Sequence, residues 1–211
     1  PGTLNRTWGY KKNDHDWKTP EYVIEQLVSL TDKGANYLLN VGPRPDGSWT
    51  PETKSILARV GEWYRRNGGG IFGSSANPFP QNLSWAYCTV KDNDLNFFLR
   101  RRRESYTVSG ITGNVVDANC RYQQKDGEIT FFPGEAAGLL PLIRLTFDRV
   151  PVVSRQLREQ GGNLALVPTT GGIRHGETVI PEDEKESFDA AGGALRRAAH
   201  SFIERDGSLA M

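Results

Sequence analysis

The spacing of apolar positions changes once along the chain, and the change divides it. Near the front the period is helical. Thr19-Pro20-Glu21 spells a helix start, with Thr as N-cap, Pro at the first helical position and an acid in the first turn. Val23, Leu27 and Leu30 follow at helical spacing, with Ile24 and Thr31 on the flank, and Gly34 stands where a left-handed C-terminal cap belongs. Residues 37–41 are a short, mostly apolar run closed by Gly42-Pro43, the pattern of a strand buried on both faces in a parallel sheet. Thr50-Pro51-Glu52 repeats the helix start. Ile56, Leu57, Val60 and Trp63 or Tyr64 give the buried stripe, and residues 67–70 stop it. Residues 1–75 therefore read as loop, helix, strand, helix, which is too little β/α architecture to close a core alone.

From residue 82 the runs shorten and alternate. Strands are predicted at 85–90, 95–99, 114–122, 128–132 and 142–147, separated by "KDND", "TGN" and "KDGE". This is the pattern of a small antiparallel sandwich over residues 82–150, with a boundary in the stretch "GSSANPFPQN". Residues 151–211 are poorer in aromatics: "GNLAL" is a plausible strand, "PEDEKESFDAAGGALRRAA" a loop or marginal helix, and "SFIERDGSLAM" a strand, Asp-Gly turn and strand. Two readings stand for this part, the start of a further, truncated β module or a disordered tail.

Composition narrows the function. In 211 residues, 37% are hydrophobic, 24% charged, and the net charge is +1, so nothing overall calls for nucleic acid or an acidic membrane surface. No apolar run approaches the roughly 20 residues of a membrane span. The front end shows no signal peptide and no initiator Met, and carries no readable address. Cys88 and Cys120 form no metal or redox motif, and either one bridge or two separate thiols fits. His15, His175 and His200 are scattered, so neither a metal nor another cofactor is expected. The arginines at residues 100–103, close to Tyr106, fit three readings: a phosphate-binding patch, a solvated strand end, or an edge-strand guard. Asp14-His15-Asp16 reads as a polar turn or cap, with acid/base work as the sharper alternative. Trp8 and Tyr10 flank Gly9 in a polar loop, with Trp17 soon after. If Gly9 lets the backbone bend, both rings face one cleft, and flat rings with a few donors suit a sugar. Burial of Trp8 as a loop anchor fits the residue types equally well.

The spelling settles more than the types do. "TWGYKKNDHDWKTPEYVIEQLV", "KGANYLLNVGPRPDGSWTPE" and "VGEWYRRNGGGIFGSS" resemble, in order and spacing over about residues 3–75, the family 29 glycoside hydrolases, the α-L-fucosidases. Residues 82–150 are similar to that family's C-terminal sandwich. The resemblance implies an α/β plus β fold: the C-terminal part of a (β/α)8-like barrel (residues 1–75), an antiparallel β-sandwich (82–150), and the further segment 151–211. It implies retaining hydrolysis of terminal α-L-fucosyl linkages by two carboxylates, and a fucosylated glycan as partner. Trp8, Gly9 and Tyr10 are then expected on a loop at the substrate face, with Asn40 near the end of the last strand beside them. The family's nucleophilic aspartate and acid/base glutamate have no matching position here. No catalytic residue is assigned, and the chain is expected to be a fragment, beginning just after the acid/base glutamate and inactive alone. An exported location is favoured over the cytoplasm. Leu38, Leu39, Val41, Ile56 and Trp63 are expected to expose apolar surface that missing strands would cover. Arg44 and Gly69-Gly70 depart from the family's wording, the first at the pocket rim, the second weakening a helix end. The reading from another class is a non-catalytic carbohydrate-binding or structural β module.

Overall fold

The computed structural model describes residues 1–154, 157–166, 173–175 and 178–180. Pro1–Leu166 forms one compact unit and Val167–Met211 another. In the second, the described part is a short antiparallel pair, Ile173–His175 with Thr178–Ile180. The expected loop or marginal helix and the closing hairpin of the sequence lie outside the described residues.

Within the first unit the front begins with strand β1 (Gly2–Thr3), followed by helix α1 (Pro20–Asp32), strand β2 (Leu39–Asn40) and helix α2 (Pro51–Asn67). β1 and β2 pair in parallel, Gly2 with Leu39 and Thr3 with Asn40, so α1 is the crossover that parallel strands require. Both helix starts form as their sequence dictates. The Thr19 side chain accepts from the Tyr22 amide at 3.1 Å and that of Thr50 from the Thr53 amide at 3.1 Å. α1 ends in a Schellman-type stop: Gly34 has φ 71°, its amide donates to the Thr31 carbonyl, and that of Ala35 donates to Leu30.

The faces differ from the expected stripes. On α1 the buried residues are Pro20, Val23, Ile24, Val28 and Asp32, while Leu27 and Leu30 are half-buried, so the core-facing stripe is rotated by about one position. On α2 the buried residues are Thr53, Ile56 and Trp63, and Leu57 and Tyr64 face solvent. Ile56 and Trp63, expected to be exposed, are covered by this chain itself. Ile56 packs with Leu4 and Val23, and Trp63 with Phe98 and Leu140. The run 37–41 is not a strand buried on both faces. Only Leu39 and Asn40 pair, with β1 alone; Leu39 and Val41 are half-buried and Leu38 is 60% exposed.

The rest of the unit is antiparallel. β3 (Ala86–Lys91), β4 (Asp94–Leu99), β5 (Tyr106–Ser109), β6 (Val115–Ala118), β7 (Arg121–Lys125), β8 (Glu128–Phe132) and β9 (Leu142–Phe147) build two sheets, ordered β3-β4-β9-β6 and β5-β8-β7. The expected strand 114–122 is two strands, and β5 was not anticipated. "KDGE" is a two-residue hairpin loop with Asp126 at φ 52° and Gly127 at 78°, the left-handed pair that such a turn needs. One buried cluster draws on both sheets: Trp85, Cys88, Leu95 and Phe97 with Tyr106, Val108, Ile129 and Phe131. Its rings stack, Trp85 on Tyr106 at 4.5 Å and Phe97 on Phe131 at 5.3 Å between centroids.

The hairpin β10 (Leu157–Gln160) and β11 (Asn163–Leu166) belongs to this unit, because Leu164 enters the same cluster. The Asn163 side chain accepts from the Thr107 amide, and the Ser109 hydroxyl donates to the Leu164 carbonyl. The stretch 73–82 is a fixed strap. Ser75 bridges to Val90, Asn77 bonds Asp32, and Phe79 is buried against Phe97. Gly70 explains the glycine run. A Cβ there would lie 2.9 Å from the Asn96 side chain and 3.1 Å from Phe98, so the helix end must come this close to β4 bare. Gly69 meets nothing.

Candidate functional site

Two loops leave the carboxyl ends of the parallel strands β1 and β2, and the expected site residues sit on them. The first loop departs at Asn5 and returns at Lys18, whose amide donates to the Leu4 carbonyl at 2.8 Å and whose ammonium donates to the Thr3 and Asn5 carbonyls at 2.5 and 3.2 Å. Its ends thus meet, in the manner of an Ω-loop. Asp14, inside it, is buried and acts as its hub, accepting from the amides of Arg6 at 3.0 Å and Asp16 at 3.2 Å, with the Thr7 hydroxyl at 3.4 Å. Burial pushes the Asp14 carboxyl up, but those hydrogen bonds outweigh it and hold the group below the usual carboxylate range. A carboxylate so satisfied suits loop architecture and not proton transfer. Asp16 pairs with Arg6 at 2.7 Å. The Asp14-His15-Asp16 stretch is therefore a loop closure.

Trp8, Gly9 and Tyr10 form the tip. Trp8 is 57% exposed and Tyr10 38%, so Trp8 is not a buried anchor. Trp17 takes that part, half-buried against Leu4, Val23 and Ile56. The second loop holds the tip in place. Asn40, at the end of β2, donates from its side-chain amide to the Trp8 carbonyl at 2.5 Å. Gly42 lies directly under the tip, where a Cβ would stand 2.8 Å from both the Gly9 carbonyl carbon and the Tyr10 amide. The glycine that matters is thus Gly42. Gly9 has open space around it and no positive φ. Asn40 acts on the loop through a hydrogen bond and in that respect is a positioning residue.

The structure brings Trp8, Gly9, Tyr10 and Asn40 together in space, and it adds Gly42, Asp14 and Lys18, which the sequence reading did not single out, as the groups that fix them. The Gly-Pro after the second strand was the available signal. Arg44 sits half-buried in the turn that follows, its amide on the Ser48 carbonyl and its own carbonyl accepting from Gly47. Chemically the arrangement offers an exposed aromatic wall on a pinned loop. Among the described residues, no cluster of three or more His, Cys, Asp or Glu is gathered to hold a metal, and no helix is long and apolar enough to cross a membrane.

Comparison with known proteins agrees with the spelling of these loops. Residues 2–69 match the family model described as Alpha-L-fucosidase. The tissue alpha-L-fucosidase of Bos taurus is 39% identical over 71 residues, which cover 33% of this chain and 15% of that protein. Among solved structures, alpha-L-fucosidase isoenzyme 1 from Paenibacillus thiaminolyticus is similar with a TM-score of 0.58 and 30% identity, over 69% of this chain and 38% of that one. A GH29 alpha-L-fucosidase from Bacteroides thetaiotaomicron gives 0.57 and 26%, over 68% and 36%. The proteins it resembles are glycoside hydrolases, and the chain is a partial relative that spans about 15% of the length of the Bos taurus protein.

Proposed function

We propose, from a front segment that carries the sequence of the α-L-fucosidase family, that the parent of this chain hydrolyses terminal α-L-fucosyl linkages with retention, and that residues 1–75 supply one wall of its sugar pocket. On this reading β1, α1, β2 and α2 are the closing part of a (β/α)8-like barrel, where substrate loops follow the carboxyl ends of parallel strands. The two antiparallel sheets are then the sandwich that follows. The observation that carries the reading is the Asn40–Trp8 bond above Gly42, which holds exposed aromatic rings at that end of the strands. A preorganised ring costs little further ordering when a sugar's C–H face settles on it.

The two carboxylates of a retaining mechanism stand close together and need different pKa values. The loop's Asp14 and Asp16 are both committed to loop contacts. On this reading the nucleophile and the acid/base belong to the rest of the parent protein, because the family's two carboxylates have no matching position in this sequence, and this chain alone is inactive. The test is kinetic. In the whole parent, Trp8→Ala raises KM for an aryl α-L-fucoside by about tenfold, the scale of one lost stacking contact. Asn40→Ala raises it less, by freeing the loop. Unchanged KM and kcat in both variants would remove Trp8 and Asn40 from the pocket.

A further inference from the structure

The arginines of residues 100–103 play no part in the sugar wall, and their surroundings give them another use. Beyond Leu99 the chain turns under firm control. The amides of Arg100 and Arg101 both donate to the Trp85 carbonyl, at 2.8 and 3.3 Å, and the Tyr106 hydroxyl donates to the Arg101 carbonyl. β4 lies between β3 and β9 in its sheet, so the run is no guard of an exposed edge. It forms one side of a cleft of about 560 Å³ whose other side is the loop of residues 133–141. That size is ordinary for a small-molecule site.

The cleft is preformed on both sides. Trp63 Nε1 donates to the Leu139 carbonyl at 2.7 Å, the Leu99 amide to the Pro141 carbonyl at 3.1 Å, and Arg102 Nη2 to the Ala136 carbonyl at 2.8 Å. Leu140, on the loop wall, is held at φ 42°, a conformation a leucine rarely adopts and one the surrounding packing must enforce. Arg103 is anchored through Nη1 to the Gly161 carbonyl at 2.9 Å, and Arg100 lies 4.8 Å over the Tyr87 ring. None of the four guanidinium groups forms an ion pair with a carboxylate among the described residues, although Glu104 stands on the rim. Four adjacent guanidinium groups with no ion-paired carboxylate among the described residues are unusual in a chain of net charge +1.

We propose that this cleft binds a small anion that carries a phosphate, sulfate or carboxylate group on an aliphatic body. The guanidinium forks suit an oxyanion, which accepts paired hydrogen bonds from them. The body is aliphatic because the opposite side presents Pro133, Leu139, Leu140 and Pro141, and among the described residues no aromatic ring lines the cleft for a sugar or a base to stack on. Arg101, exposed and without a side-chain ion pair among the described residues, is the group most open to the ligand.

The experiment is calorimetric titration of the 211-residue chain at low ionic strength with butyl phosphate, inorganic phosphate and butanol. Butyl phosphate is expected to bind saturably at one site, more tightly than inorganic phosphate, with no binding of butanol; titrations with butyl sulfate and butyrate then rank the oxyanions. Arg101→Gln weakens butyl phosphate by about tenfold or more, as loss of a charge-assisted pair does, without a change in melting temperature. Arg101→Glu abolishes binding. Trp8→Ala leaves it unchanged, since the site is independent of the sugar wall. Absence of saturable binding by all three anionic esters and acids, equal affinity in Arg101→Gln, or no preference for butyl phosphate over inorganic phosphate would overturn the proposal.

Discussion

The front of the unit and its antiparallel part are stabilised in different ways. The antiparallel part carries its own core: Trp85, Phe97, Tyr106 and Phe131 are fully buried and stacked on one another. The front has a small cluster of its own, Leu4, Val23 and Ile56, and a second one, around Trp63, that it shares with Phe98 and Leu140. It also leaves Leu38, Trp49 and Phe72 exposed at 60%, 41% and 79%. Yet the front is where the family match lies, at residues 2–69. Recognisable sequence and self-sufficient packing are separate properties. Loops that meet a ligand constrain spelling residue by residue, whereas a sheet core constrains little beyond volume and alternation.

The largest expected effects test whether the sheet core dominates. Phe97→Ala should cost about 3–5 kcal/mol in denaturant unfolding, the usual range for an aromatic truncated in a packed core. Ile56→Ala in the small front cluster should cost less, nearer the lower end of the 2–5 kcal/mol range for its type. A larger loss for Ile56 than for Phe97 would reverse the comparison. Next is the seam between the regions. Gly70→Ala forces a methyl against Asn96 and Phe98 and should cost about 1–3 kcal/mol. A neutral outcome would mean that α2 and β4 can separate at no cost.

A smaller effect contrasts two carboxylates. Burial at the end of α1 pushes the Asp32 carboxyl up, against the opposing hydrogen bonds from the Cys88 amide and Asn77. Its folded pKa exceeds its unfolded one, so the folded state binds the extra proton, and this group's effect is to lower stability as pH rises through that window. Asp148, in the antiparallel part, is the reverse. Arg149 and the Asn114 amide hold it at about 2, so it stabilises above the ordinary carboxylate pKa, and that stability is lost as pH falls through about 2. Carboxyl-carbon NMR titration should find the Asp32 midpoint above the usual value and the Asp148 midpoint near 2; the opposite order would refute both assignments. The smallest effect is at the surface. Arg59 meets Glu21 at 2.7 Å, with side chains 60% and 48% exposed, and Arg59→Ala should change unfolding by about 0.5 kcal/mol or less.

What could be read from the sequence was local. Thr-Pro-Glu fixed both helix starts because a cap acts within three residues, and Gly34 closed α1 for the same reason. Ala86–Lys91 and Leu142–Phe147 were readable from alternation. β5 was hidden because four residues beside an arginine run give too short a period to detect. Gly42 and Gly70 could not be read as close approaches, since what each would strike lies 32–33 and 26–28 positions away in sequence. Trp8 and Tyr10 stood out by residue type and Asn40 through family spelling; that Asn40 grips the Trp8 backbone is a long-range contact no spacing displays.

The central claim is that this chain holds a sugar wall while the reacting carboxylates lie elsewhere in the parent. The most direct measurement compares initial rates on one aryl α-L-fucoside for the whole parent and for this 211-residue chain, at equal molar concentration. The account predicts turnover by the parent and none above the uncatalysed rate for the chain. Turnover by the chain alone, or a whole parent inert toward the fucoside, would contradict it.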